Sequence, residues 1–473
     1  MIVPLIARAE QQTPPLPAAP RAVNVPQPAE KTLANGLRVI VIQKIGLPLV
    51  AARLMVKTGG EADPPDRAGL ADMTASLLTK GTTTKSAEEI ARDVEALGAT
   101  IESGAAWDNS FVALSALASN YPEAMKYVAD VVLHPTFKTE EIDRLREQNI
   151  DELQVALTQP RSLAGYVAAR VIYGGGAYGH NLGGTPKSLQ AMTRPDIARF
   201  HEAYYRPDNA VFVVAGDVAP ETMFALAEKL LGTWKASGTM PSAPQEVAAP
   251  AAQQPRVVVV DLPDAGQAAV VVTLRGLRRI DPEYNAALVA NAVMGGGYSS
   301  RLNQEIRIKR GLSYGAGSAF EFRRMAGPFT ASAQTKNESA AEVATIMLDE
   351  LAKMTSAAVA STELTPRKAV LIGNFGRALE TTSGLVGRIA QLALYGLSLT
   401  EINNYIRNVE AVTPADVQTF AAAHLKATQA AVVIVGDAKK LLDAVKQKFQ
   451  DVEVIPIAQL DLDLATMRKA ARP

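Results

Sequence analysis

The sequence predicts an α+β protein of two homologous domains from an internal duplication, each a mixed or antiparallel sheet with helices packed on one face. Three observations lead there. Within each half, strand-like and helix-like segments run in series instead of alternating one for one. Short segments of the first half return, in order, about 220 residues later. A run poor in large apolar residues, ASGTMPSAPQEVAAPAAQQP at 236–255, parts the two copies as a linker would.

In the first copy, residues 37–42 and 49–57 are aliphatic and β-branched, as strands are. A helix is expected near 68–78. Ser86 with Glu89 forms a capping box, Ile90, Val94 and Leu97 follow at helical spacing, and Gly98 is a stop. Residues 107–118 alternate like a strand, 121–133 and 140–157 read as helices, and 210–215 as a closing strand. In the second copy, strands are expected at 268–274, 315–322 and 329–334, and helices at 283–294, 301–309 and 340–354, the last opened by a Ser339–Glu342 capping box.

The repeats carry the duplication. VVAGD at 213–217 returns as VIVGD at 433–437, and MTRPDIARF at 192–200 as VTPADVQTF at 412–420, both at an offset of 220. Leu157 and Tyr173-Gly174 match Leu379 and Tyr395-Gly396 at 222, and RVIVI at 38–42 matches RVVVV at 256–260 at 218. Four ordered matches with loop-sized drift in offset are a two-copy repeat, too long in period for a solenoid. The expected organisation is a disordered Pro-rich segment at 1–29, domains at 30–235 and 256–460 joined by the linker 236–255, and a tail at 461–473.

Composition narrows the function. The 473 residues are 48% hydrophobic and 20% charged, which is globular composition. Lys+Arg and Asp+Glu are both 48, so the basic excess of a nucleic-acid binder is missing. The absence of Cys excludes disulfides, thiolate metal sites and Cys nucleophiles. No apolar stretch reaches 18 residues, so no integral membrane segment is expected. The apolar start at 2–6 is short and broken by Pro4, with Ala7-Arg8-Ala9 at the spacing of a cleavage site. It reads either as the stub of an export signal or as an unstructured start. With the lack of Cys, the periplasm is the expected compartment and the cytoplasm the alternative.

The segment GGEADPPDRAGLADMTASLLTKGT at 59–82 resembles the opening helix of the pitrilysin/insulinase superfamily of zinc metallopeptidases, whose pattern is GSxxE…GxAHxxEH…FKGT. The resemblance extends to the YGHNLGGT turn at 178–185, AYYRPDNAVFVVAGD at 203–217 and SSRLNQEIRIKRGLSYGAGS at 299–318. It implies a LuxS/metallopeptidase-like fold. The family's metal helix uses two His at i and i+4, with a Glu general base between them. Here those positions are Asp72, Ala75 and Ser76. One carboxylate, a methyl group and a hydroxyl do not replace two imidazoles and a base, so no metal or other cofactor is expected in this chain. The family's third ligand would fall near Glu147 or Glu152, which without partners read as ordinary helix carboxylates. His134, His180, His201 and His424 contain no i,i+4 pair and read as structural or surface residues.

The second half differs. By resemblance, Arg307 and Tyr314, seven residues apart, match a pair that the family supplies to the active site from its C-terminal domain. A guanidinium and a phenol both donate hydrogen bonds to the oxyanion that forms when water attacks a peptide carbonyl. Taken alone, they also fit a surface Arg and a packed Tyr. Gly295, Gly296 and Gly297, followed by Ser300 and Arg301, are candidate substrate-binding residues, because a Gly run lets backbone approach a peptide closely. The same run also serves as a helix stop. Arg301 is expected to order this loop or a nearby carboxylate. The resemblance therefore implies the non-zinc subunit of a two-subunit peptidase. Its partner would be a homologous subunit bearing His-x-x-Glu-His and the zinc, and its substrate a peptide added to a sheet edge. The rival readings are a structural protein, like the core subunits of respiratory complexes, and a homodimer that binds peptide without cleaving it.

Overall fold

The computed structural model describes residues 24–245 and 256–469. The expected start-to-end order of elements is present in both halves. The first half holds strands β1 (Ala29–Thr32), β2 (Arg38–Gln43), β3 (Leu49–Val56), β4 (Thr100–Ala105), β5 (Ser110–Leu117) and β6 (Ala210–Gly216). Its helices are α1 (Leu70–Leu77), α2 (Ala87–Ala96), α3 (Tyr121–Leu133), α4 (Thr139–Thr158), α5 (Pro160–Tyr173), α6 (Pro186–Ala191), α7 (Arg194–Tyr204) and α8 (Pro220–Leu231). The second half holds β7 (Val257–Asp261), β8 (Ala268–Arg275), β9 (Ala316–Phe320), β10 (Pro328–Thr335), β11 (Ala431–Gly436) and β12 (Val452–Pro456). Its helices are α9 (Tyr284–Met294), α10 (Ala340–Ser356), α11 (Ser361–Glu380), α12 (Thr382–Leu394), α13 (Glu401–Ala411), α14 (Pro414–His424) and α15 (Ala438–Lys448).

Each half forms one six-stranded mixed sheet, in the orders β1-β2-β6-β3-β5-β4 and β12-β7-β11-β8-β10-β9. The repeats occupy equivalent places. β2 runs parallel to β6 with Ile40 opposite Val213, and β7 runs parallel to β11 with Val258 opposite Val433. Those pairs are related by the offsets 218 and 220 seen in the sequence. Thr193–Asp196 and Thr413–Asp416 form equivalent capping boxes on α7 and α14. The outer strand is where the copies part: β1 pairs antiparallel to β2, whereas β12 pairs parallel to β7.

Alternation along the strands sends side chains to both faces of each sheet. Val39, Val41, Ala52, Leu54 and Val56 pack beneath the first half's own helices, and Val257, Val259, Val270 and Val272 beneath the second's. The opposite faces are closed by exchange. Leu385, Val386, Ile389 and Ala390 of α12 cover Ile40, Ile42, Met55, Val211 and Val213 of the first sheet. Leu163, Ala164, Val167 and Ala168 of α5 cover Val258, Val260, Val271, Val433 and Val435 of the second. Full burial of one Val or Leu stabilises by about 1.5–3 kcal/mol, so each exchanged helix is a large share of the other half's stability.

Three expectations are corrected. Ser339 does not cap α10: it lies in a 3₁₀ turn with helical φ and ψ, and its side chain makes no cap bond. Residues 303–309 form a π-helix instead of an α-helix. The Pro-rich segment is held before residue 29: Val25 is buried and exchanges two hydrogen bonds with the Asn403 side chain. Residues 1–23, the second half of the linker (246–255) and 470–473 lie outside the described residues. The tail is docked as far as Lys469, with Met467 fully buried and the Leu462 carbonyl accepting from Arg170.

Candidate functional site

α1 starts at Gly69, whose φ of +90° suits glycine. The buried Asp63 carboxylate accepts from the Gly69 and Ala71 N–H groups and so caps the helix. One turn along, Asp72 is half-buried and Ala75 fully buried. Burial, with the Asp63 charge behind it, pushes the Asp72 carboxyl up to about 6, against the pull of the Ala105 N–H. Ser76 is half-buried. The face thus offers one carboxylate and one hydroxyl around a methyl group, which does not fit zinc. Glu147 and Glu152 do not complete it, since both are exposed on α4. From α4, Asn149 reaches α1, its amide lying 3.9 Å from the Met73 sulfur. Among the described residues no group of three His, Asp or Glu side chains is placed to hold a metal ion.

Three His are structural. His201 bonds the Val132 carbonyl at 2.9 Å, and burial lowers its pKa to about 4. His424 meets Glu283 at 2.9 Å, and His134 ends α3. His180 pairs with Asp63 at 3.3 Å and lies edge-on to Trp107 on the wall of a cleft.

The structure separates the candidates of the second half. Gly295 must be glycine, because a Cβ there would stand 2.2 Å from the Ser318 nitrogen, whose N–H donates to the Gly295 carbonyl. Gly295 and Gly296 line the cleft. Gly297 is exposed, and a Cβ there would meet nothing within 4 Å. Ser300 is fully buried, so it cannot touch a substrate as expected. Arg301 is likewise removed from the substrate set: its guanidinium is engaged twice by Glu363, at 2.9 and 2.8 Å. This is the loop-ordering role expected for it. Arg307 is half-buried with its guanidinium 5.1 Å from the Tyr298 ring centre. Tyr314 is 90% exposed and lines a groove that does not include Arg307.

That groove is built from two adjoining clefts, of about 680 and 560 Å³. They share Gly165 of α5, Gly317 of β9, and Thr330 and Ser332 of β10, so they form one channel over the second sheet beside the exchanged helix. At its far end the two halves meet in a polar junction. Glu61 lies 3.2 Å from Arg324, and Asp108 accepts from the Tyr178 and Tyr395 hydroxyls at 2.5 and 3.0 Å and from the Arg324 N–H at 2.7 Å. Burial raises Glu61 to about 8 despite Arg324. Sequence reasoning missed this junction, because Glu61 and Arg324 lie 263 residues apart. The one local signal was the paired Arg323-Arg324 directly after the aromatic run FEF.

Comparison with known proteins gives a consistent picture. Residues 38–182 match the family model described as insulinase, peptidase family M16, and residues 191–371 the one described as peptidase M16 inactive domain. The chain is 28% identical over 405 residues to an uncharacterized zinc protease of Mycobacterium bovis, covering 86% of this chain and 92% of the relative. It is 24% identical over 360 residues to a Bacillus subtilis protein of the same description, covering 76% and 86%. A crystal structure described as a peptidase M16 inactive domain from Pseudomonas fluorescens superposes with a TM-score of 0.80 at 26% identity, over 86% of this chain and 98% of that one. A Helicobacter pylori protease has the same fold, with a TM-score of 0.82 at 21% identity, over 87% and 100%.

Proposed function

We propose that this chain, which belongs to the insulinase-type peptidase family M16, is the metal-free subunit of a two-subunit peptidase. In this reading it closes a chamber, holds an extended peptide in its groove, and presents Tyr314 and Arg307 to a zinc site on a homologous His-x-x-Glu-His subunit. Zinc and the general base belong to that partner. The observation that carries the reading is the contrast of exposures: Ala75 is fully buried on α1, while Tyr314 is 90% exposed beside an open groove. A phenol so placed donates a hydrogen bond to whatever oxygen is brought against it. No helix among the described residues is long and apolar enough to cross a membrane.

A second reading, a non-catalytic structural or peptide-binding protein, is favoured by Arg307, which lies over Tyr298 instead of in the groove. The two readings separate in one assay. A quenched fluorescent peptide is offered to this chain, to its suspected partner, and to the mixture. Activity only in the mixture supports the two-subunit enzyme, whereas full activity of the partner alone leaves this chain a scaffold or a peptide binder.

A further inference from the structure

Arg323 is a buried cation with too few partners. It is 7% exposed, yet it lines the larger cleft. The rings of Trp107 and Tyr178 stand 4.5 and 4.6 Å from its guanidinium carbon. Rings attract the cation but offer no lone pairs to its N–H groups. Nη2 donates to Glu321 at 2.5 Å, while Nε and Nη1 are buried with no hydrogen-bond partner. Buried charges are ordinarily paired and hydrogen-bonded. Glu321 is a loose partner, since its side chain is 57% exposed and water competes for it.

We infer that Arg323 anchors the C-terminal carboxylate of a bound peptide, and that Glu321 occupies that place when the groove is empty. The inference rests on the peptide-holding reading above and adds which end of the peptide is read. A carboxylate offers two coplanar oxygens that match the guanidinium fork. Ile172, Tyr166 and Tyr173 line the same cleft and give it an apolar wall for the last side chain. Trp107, His180 and Leu182 of the first half stand at this end of the channel, which suits a chain end better than a passing segment. From here the channel runs along β9 to Tyr314. Glu321 lies seven positions after Tyr314. Only 316–320 of this stretch is strand, so at about 3.3 Å per extended residue the span is at most roughly 23 Å, and a peptide anchored at Arg323 places a bond within about seven residues of its end near Tyr314.

The test uses the full chain without a partner and an N-terminally labelled decapeptide of Gly, Ala and Ser ending in Phe. Three forms are compared by fluorescence anisotropy: the free acid, the C-terminal amide, and the amide with Glu in the penultimate position. The free acid is expected to bind about tenfold tighter than either amide, the ratio set by charge-assisted hydrogen bonds. Glu321→Ala removes the competing carboxylate. It should tighten the acid about three- to tenfold and leave the amide unchanged. Arg323→Lys keeps the charge but not the fork, and should abolish the acid's preference. Should that variant not fold, the exposed Glu321 variant still decides. Equal binding of acid and amide overturns the anchor while leaving the peptide-holding reading intact. Equal binding of acid and Glu-bearing amide overturns the assignment to a chain end. Binding of none of the three overturns both readings.

Discussion

On α1 the positions that would carry a metal site hold Asp72, Ala75 and Ser76, and the middle one is sealed in the interior. In the second half the segment 295–314 runs from a buried Gly295 to a Tyr314 that is almost wholly in solvent. Both segments lie at positions to which the resemblance assigns active-site chemistry, yet one is packed inside and the other is not. A helix face relieved of polar ligands is free to gain from burial, and Ala75 does. An exposed phenol gains nothing from the fold that holds it.

The sharpest way to break this contrast is to restore charge on the sealed face. Ala75→Glu should destabilise the chain by about 3–5 kcal/mol, as an unpaired buried carboxylate does, measured by chemical denaturation. A loss below about 1 kcal/mol would mean that α1 faces an open chamber after all. On the open side, Tyr314→Phe should leave stability unchanged and lower kcat of the assembled complex by about 10²–10³. An unchanged kcat would remove Tyr314 from the chemistry. Gly295→Ala should cost about 1–3 kcal/mol, because its Cβ meets the Ser318 nitrogen at 2.2 Å. Hydrogen exchange at β9 would show the damage as faster opening.

The last effect is pH-dependent. The Asp72 carboxyl lies above its ordinary value in the folded chain, so the folded state holds its proton longer than the unfolded chain does. Its ionisation therefore costs nothing below about pH 4, and the cost grows as pH rises toward 6 and then levels off. Asp72→Asn should accordingly raise the melting temperature at pH 8 and leave it unchanged near pH 3.5. A gain of equal size at both pH values would assign the effect to packing instead of ionisation.

What the sequence made legible was local or repeated. The Ser86–Glu89 box and the strands at β2 and β3 each depend on a few neighbouring residues, and the repeats at 192–200 and 412–420 on a copied segment. Ser339 looked the same but sits inside a turn that already supplies its backbone with helical geometry. Leu157 and Tyr173, and their repeats Leu379 and Tyr395, bracket one helical pattern, so α5 and α12 were legible as helices. Their destination was not. Periodicity marks a face that must be buried and is silent about which sheet will bury it. Likewise Ser300 and Arg301 looked accessible beside a Gly run. The fold turns one inward and gives the other to Glu363, 62 residues away.

The exchange of α5 and α12 also orders events in time. When the first half has left the ribosome, its sheet is complete through β6, but one face stays bare until α12 has been made. The stretch from Gly216 to Leu394 takes about 10–35 s at roughly 5–20 residues per second. During that interval Ile40, Ile42, Met55, Val211 and Val213 lie open on a sheet surface. A chain built this way has a vulnerable adolescence. Its yield in a cell depends on whatever shields that surface until the second half arrives.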